Sequence, residues 1–380
     1  MLNTDSIQTT HVGSLPRSKE VTDLVFAHEA GQKISPDAFA DGLARAVADV
    51  VRKQKEAGVT IVSDGEMSKI SYATYIKDRI TGFDGDSPRK PPSDLEEFPG
   101  FLQRQASSGG TPTYKRPCCV GPIKVKSMQP LENDLEHFQS ALDAAPGLDS
   151  FMNAASPGVI ALFQPNEFYS TQDEYLEALA EAMRPEYEAI VAAGHVLQLD
   201  SPDLGLGRHM MFKGRPDEEY IALANGHVDA LNHALRNIPK DKVRMHVCWG
   251  NYEGPHHHDA PMDGVLPIAL RAHIGGRLFE NSNPRHAHEW TVFRDLDLPE
   301  DLTLIPGVID STTNFIEHPE LVAQRIERFT DIVGRERVIA GSDCGFSTFA
   351  GFGAVDEDIV YAKLGAMAEG AKIASAKLWA

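Results

Sequence analysis

Short apolar runs alternate with amphipathic helical stretches along most of this chain, and that alternation most constrains what it can fold into. Apolar runs bounded by turn residues read as strands. When helical patterns separate them, the strands run parallel and the helices cover the sheet. Eight strand candidates stand out: Thr10–Leu15, Thr60–Asp64, Pro117–Pro122, Val196–Asp200, Val243–Cys248, Arg277–Asn281, Leu302–Ile309 and Arg337–Asp343. Helical patterns read at Pro36–Ala57, Thr171–Ala193, Asp217–Asn237, Met262–Ile274, Pro319–Val333 and Asp356–Lys377. Units of this kind predict an α/β fold, the closed (β/α)8 TIM barrel, with residues 1–380 as one domain. Polar insertions near 84–110 and 251–263 are expected at the C-terminal face of the barrel. A ninth apolar run, Val159–Phe163, follows Ser156-Pro157-Gly158, precedes Pro165 and reads as a loop.

Composition narrows the partners. Hydrophobic residues make up 42% of the chain, enough for a sizeable core. A formal charge of −19 disfavours nucleic acid, whose phosphates need a basic footprint. No apolar run approaches the ~18 residues of a membrane span. The polar N-terminus, Met1–Ser6, lacks the pattern of a signal peptide. Four cysteines do not make a disulfide scaffold, so reduced thiols in a cytoplasmic enzyme are expected. Small molecules are the expected partners, and a homo-oligomer is compatible with the sequence.

Four residues at strand C-termini suit one metal ion: His246 and Cys248, Glu280, and Cys344. In a parallel barrel the strand C-termini meet at one face, so residues far apart in sequence converge. Positions i and i+2 of a strand face the same side, which lets His246 and Cys248 reach one ion. Two sulfurs, an imidazole and a carboxylate suit Zn2+. An isolated cysteine near a histidine is more often core packing. The conjunction of all four strand-end positions tips the balance toward a metal site. Cys118 and Cys119, being adjacent, point to opposite faces and read as core thiols. His256, His257 and His258 on the second insertion read as a second metal site, an acid catalyst or, as the favoured alternative, a lid with no fixed role.

A zinc ion with these ligands favours a particular chemistry. It stabilises a substrate thiolate far better than water does, and the sulfur then attacks an electrophilic carbon. Two cysteinates and a glutamate neutralise the ion and leave electron density on the incoming sulfur. Glu280 is the ligand most easily displaced.

Longer motifs carry a resemblance. They are Thr9–Arg17, with His11, Gly13 and Ser14; Val62–Glu66; Leu197–Pro202, with Asp200; and the four metal positions. Together they resemble the cobalamin-independent methionine synthase family, in its zinc-bearing C-terminal barrel and its short single-barrel branch. The resemblance implies that the His11, Gly13 and Ser14 segment contacts a thiol amino acid, that Glu66 binds its amino group and that Asp200 is a further substrate contact. It also implies zinc on His246, Cys248, Glu280 and Cys344, with a homocysteine-like thiol as acceptor and a methyl or alkyl donor. Asp310 and Thr312 occupy the stretch where the family carries a proton-donating histidine. The chain departs from the long synthases there, at Ser201, at Leu206 and across Gly121–Lys126.

Other readings stand beside these. The related epoxyalkane:coenzyme M transferases use a zinc-bound thiol to open an epoxide, with Arg17, Lys69, Arg208 or Arg285 as anion contacts. A metal-free barrel of the uroporphyrinogen decarboxylase type and a non-catalytic zinc protein are further alternatives. Ser14 and Asp310 also read as turn caps, Glu66 as a solvated carboxylate, and Trp249 as core.

Overall fold

The computed structural model describes residues 5–87, 93–107, 115–212 and 215–380. Parts of the insertion expected near 84–110, at 88–92 and 108–110, therefore lie outside the described residues. The strands are β1 (Ile61–Val62), β2 (Phe83–Asp84), β3 (Cys118–Cys119), β4 (Asp149–Ala155), β5 (Val196–Asp200), β6 (Val243–Val247), β7 (Gly276–Phe279), β8 (Thr303–Ile309) and β9 (Gly341–Ser342). Seven of them form one sheet in the order β1-β4-β5-β6-β7-β8-β9, every neighbouring pair parallel.

This sheet corrects the expected architecture. It is an open, curled half-barrel whose edges lie 10 Å apart, not a closed eight-stranded TIM barrel. The expected first strand, Thr10–Leu15, forms no ladder. Thr9 makes a single parallel bridge to Ala340, and its carbonyl accepts from Thr60 and Ile61. Threonine hydroxyls take over bonds that a ladder would supply: Thr10 Oγ1 donates to Ile61 O, and Thr60 Oγ1 accepts from Thr9 N. The expected strand Pro117–Pro122 instead pairs its two cysteines antiparallel with β2, away from the main sheet. Prolines at both ends keep it short.

Two further elements differ from expectation. β4 was not among the strand candidates, because Asp149-Ser150-Phe151-Met152-Asn153-Ala154-Ala155 is poor in β-branched residues. Its burial between β1 and β5 makes it a strand. The run Val159–Phe163, expected as a loop, belongs to a helix, Pro157–Phe163. Ser156 caps that helix by accepting from Val159 N at 3.1 Å, and Pro157 fits its first turn.

The six expected helices form, and Lys19–Glu29 and Gln129–Asp143 are further helices that were not expected. Helix Pro319–Val333 buries Val322, Ala323, Ile326, Phe329, Thr330 and Val333 along one stripe. Gly334, at φ 88°, ends it in a conformation that glycine adopts without strain. Among the described residues no helix is long and apolar enough to cross a membrane.

A buried cation ties the opening segment to the sheet. Arg244 of β6 donates to Gln198 Oε1 at 2.8 Å, Thr10 Oγ1 at 3.0 Å and His11 O at 3.1 Å. Its guanidinium lies 3.6 Å from the centre of the Phe151 ring. Burial pushes its pKa down to about 9, and the charge of Asp200 opposes that in part. Arg244→Ala is expected to lower the unfolding free energy by about 3–5 kcal/mol, because it strands buried partners. Urea denaturation checks this. A change under about 1 kcal/mol would mean that Thr10 and His11 are held by other contacts.

Candidate metal centre

Strand period and strand length bring the donors together. Arg244 and His246 of β6 share one side by the two-residue period, and Cys248 stands one residue past the strand's end. Cys344 stands two residues beyond β9. The ligand atoms of His246, Cys248 and Cys344 lie within 4.8 Å of one another, all buried. The two sulfurs are 3.6 Å apart. Two thiolates on one tetrahedral zinc, at about 2.3 Å each, stand roughly 3.8 Å apart, so the separation fits. Neither ring nitrogen of buried His246 has a hydrogen-bond partner. A buried imidazole with both nitrogens unsatisfied is costly, and a metal ion removes that cost on one of them.

The thiols are tuned unequally. The Cys248 hydrogen bond holds Cys344 down at about 7 despite burial, with His246 adding to the effect. Cys248 is pushed well up by the same contact and by burial. Gly250 N–H, 3.2 Å from the Cys248 sulfur, supports negative charge there.

Glu280, the fourth expected ligand, sits beside this cluster, buried one residue past β7. Its Oε1 accepts from Trp249 N at 3.0 Å. Its Oε2 accepts from Asn283 Nδ2 at 2.8 Å and from Arg285 at 2.5 Å. Arg285 also reaches Asp259, and His286 lies between Asp259 Oδ2 at 3.0 Å and Glu289 Oε2 at 2.6 Å. Burial opposes charge on His286, but bonds to both carboxylates raise it to about 10. Burial likewise opposes charge on Asp259, whose bonds to His256 and His286 hold it at about 2.

Asp343, which the sequence did not single out, fixes the spatial relation of these loops. Its carboxylate accepts five hydrogen bonds, each 2.8 Å, from Asn281 N, Ser282 N, Ser282 Oγ, Asn283 N and Asn283 Nδ2. The loop after Glu280 is thereby clasped to the residue preceding Cys344. Only glycine fits at 307, since a Cβ there would stand 1.9 Å from Asp343 Oδ1. The available signal was an acid flanking a ligand in Ser342-Asp343-Cys344, together with a glycine inside an apolar strand.

The expected substrate residues form a second buried group. Glu66 is held at φ 58°, and its Oε2 has no hydrogen-bond partner. Burial, with Asp200 adding charge repulsion and Lys69 opposing it, raises Glu66 to about 7. Asp200, also raised by burial, accepts from Asn153 Nδ2 at 3.0 Å. Gly13, at φ 143°, passes so close to Asn153 that a Cβ would lie 2.3 Å from its amide oxygen. Ser14 packs against Gly345, beside Cys344. His11 is used internally: Nε2 bonds Gln54 Oε1 at 2.7 Å and Nδ1 accepts from Gly13 N at 3.1 Å. Burial lowers its pKa to about 4, so it stays neutral. Asp310 accepts from Thr312 N, Thr312 Oγ1 and Thr313 Oγ1, the pattern of a capped turn. Trp249 is fully buried, with its indole donating to Ala260 O at 2.6 Å.

The histidine triplet is divided. His256 is buried, stacked on Tyr252 at 4.0 Å and bonded to Asp259, so it is not part of a loose lid. His257 and His258 face solvent.

Residues 152–372 match the model of the cobalamin-independent synthase family, catalytic domain. A methionine synthase of Saccharolobus solfataricus is 26% identical over 375 residues, covering 98% of this chain and 96% of the relative. One from Sulfolobus acidocaldarius is 25% identical over 343 residues, covering 89% and 85%. Among solved structures, a B12-independent methionine synthase from Shewanella sp. W3-18-1, in complex with selenomethionine, is similar with a TM-score of 0.71. Its identity is 19%, over 98% of this chain and 99% of that one. A putative vitamin-B12-independent methionine synthase from Listeria monocytogenes gives 0.63 at 18% identity, over 100% and 99%. Both share the fold.

His246→Ala and Cys344→Ser are expected to drop the tightly held transition metal, the fraction that survives gel filtration, from about one equivalent per chain to near zero by elemental analysis, while Cys118→Ser keeps it. Full retention in both ligand variants would refute the centre.

Proposed function

The chain belongs to the cobalamin-independent synthase family, enzymes of metal-assisted methyl or alkyl transfer through a thiol, and on that premise we propose that its ion is zinc and its acceptor an amino-bearing thiol such as homocysteine. His246, Cys248 and Cys344 hold the ion, with Glu280 as the fourth, exchangeable ligand. When bound, zinc supplies the positive charge that keeps an incoming thiol deprotonated at neutral pH. In the transfer, a bond forms between sulfur and the donor's carbon as that carbon leaves its former partner, and the leaving atom takes up a proton. Asp310, with the Thr312 hydroxyl bonded to it, is the candidate proton carrier.

The unpartnered Glu66 oxygen carries the choice of acceptor. A buried carboxylate oxygen without a donor, beside Asp200, demands a cation, and a substrate ammonium meets that demand. Gly13, against Asn153, and Ser14, against Gly345, are the remaining acceptor contacts on this reading. A sulfonate thiol, as in the epoxyalkane:coenzyme M reading, needs an available cation instead. Three of the four candidates face acids or a carbonyl, Lys69 with Asn153 O at 2.7 Å, Arg208 with Asp217 and Arg285 with Glu280; Arg17 spends its two terminal nitrogens on the backbone oxygens of Glu66, Lys69 and Ser347, and its buried Nε has no partner. The convergent thiols count against a metal-free decarboxylase.

Cobalt-substituted protein titrated with homocysteine is expected to shift its sulfur-to-metal absorption at lower concentrations than with coenzyme M. The reverse order would overturn the acceptor assignment.

Glu66 gives a pH signature. Its folded pKa, about 7, lies above the ordinary carboxylate value, so ionising it costs stability as pH rises from the unfolded value through 7. Glu66→Gln removes that cost and is expected to raise unfolding free energy above pH 7 by up to about 3 kcal/mol. It also removes the ammonium contact, so KM for homocysteine rises about tenfold or more. In the wild type that KM falls between pH 6 and 8 as Glu66 ionises, relative to a thiol lacking the amino group. Equal pH profiles for the two thiols would sink the assignment.

A further inference from the structure

Outside the buried centre, Glu97 and two consecutive histidines form a second donor cluster. His257 Nε2 lies 3.0 Å from Glu97 Oε2, and His258 Nε2 lies 2.6 Å from Glu97 Oε1. One ligand atom from each of the three falls within 4.8 Å of the others. We propose that Glu97, His257 and His258 bind a second divalent transition-metal ion, such as Zn2+, Ni2+ or Cu2+, which clamps the loop after β6 to the insertion that carries Glu97.

The backbone builds this cluster. Side chains of consecutive residues normally diverge, yet here the two imidazoles lie 4.1 Å apart by ring centroids and aim at one carboxylate. The cause is the turn before them. His256 sits at φ 53°, in the left-handed region that a side-chain-bearing residue occupies only when its surroundings hold it there. Its N–H donates to Asp94 Oδ2 at 2.8 Å, and its Nε2 bonds Tyr252 O at 2.9 Å. Tyr252 also donates to Asp94, at 2.8 Å. Asp94 belongs to the short helix Ser93–Glu96, and Glu97 follows directly. The buried half of the triplet therefore fixes both sides of the cluster, so little ordering remains when an ion binds.

Donor chemistry selects the ion. Two imidazole nitrogens and one carboxylate suit zinc, nickel or copper and disfavour calcium and magnesium, which take oxygen donors. The side chains are 38–48% exposed, so solvent completes the coordination and the ion exchanges readily. Glu97 and His258 also line a cavity of about 470 Å³ together with Arg208, Asp217 and Tyr220. An ion there would cross-link the rim of that cavity, on the loop that leads directly from Cys248.

The test uses tag-free, full-length protein stripped by a chelator and titrated with Zn2+ alone by calorimetry. The wild type is expected to take up two equivalents, the second at least tenfold weaker than the first. His257→Ala/His258→Ala loses the weak equivalent and keeps the strong one, and Glu97→Gln weakens it. Cys344→Ser loses the strong equivalent and keeps the weak one, so failure here is distinguishable from failure of the buried centre. A single equivalent in the wild type, or a second one that survives in His257→Ala/His258→Ala, overturns the proposal.

Discussion

The carboxylate of Asp343 is the interaction on which the rest of the centre depends. β7 and β9 are not neighbours in the sheet, so no ladder fixes Glu280 relative to Cys344. Five hydrogen bonds from Asn281, Ser282 and Asn283 do so instead. They cross above β8, the strand between, and the bare backbone of Gly307 leaves room for Asp343. Charge-assisted bonds to a buried carboxylate are among the stronger ones a protein makes, and several acting on one loop leave it few alternative conformations. Preorganisation of a metal centre thus comes from a residue that is not itself a ligand.

Sequence reasoning singled out the candidate donors that the fold brings together, His246, Cys248 and Cys344, and missed the clasp for a physical reason. His246, Cys248, Glu280 and Cys344 each combine a metal-binding side chain with a strand-end position, and a period of two puts the first pair on one face. Asp343 has no such signature, because its partners are mostly backbone N–H groups that any residue supplies. Closure of the barrel was illegible for a similar reason. Thr9 and Thr10 look like strand residues, yet their hydroxyls satisfy the neighbouring backbone locally and leave one bridge where a ladder was expected. β4 inverts the problem: its composition argues against a strand, and its place between β1 and β5 overrides the propensity. At Pro157–Phe163 the apolar content was read as loop because of the preceding Ser-Pro-Gly, which in fact supplies a helix cap and first turn.

Charge is handled differently on the two sides of the active centre. Around Glu280 the acids are matched: Arg285 and His286 stand among Glu280, Asp259 and Glu289, each acid within ion-pair distance of a cation. Around Glu66 they are not. Lys69 and Arg17 both oppose part of the repulsion between Glu66 and Asp200, yet neither hydrogen-bonds a carboxylate of the pair, and both donate to backbone oxygens. The first arrangement is complete in itself, whereas the second leaves a buried carboxylate oxygen of Glu66 without a donor. A matched network suits a scaffold, and an unmatched acid pair suits a binding site, where the ligand supplies the missing charge and the protein bears the desolvation cost in advance.

Arg285 places a further condition on the metal side. Both Glu280 oxygens already accept hydrogen bonds, one from Trp249 N–H and the other from Asn283 and Arg285. Each carboxylate oxygen offers two lone-pair directions, so Oε1 can bond a metal and keep its partner, whereas Oε2 is committed twice. Coordination through Oε1 therefore costs the network little, and release of that bond leaves Glu280 held in place by Arg285. On the proposed reading, a carboxylate anchored in this way would serve as an exchangeable ligand without repacking of the loop. A site that must make room for a substrate sulfur and then reset would need that property, and the anchoring passes from Arg285 through Asp259 to the loop after β6.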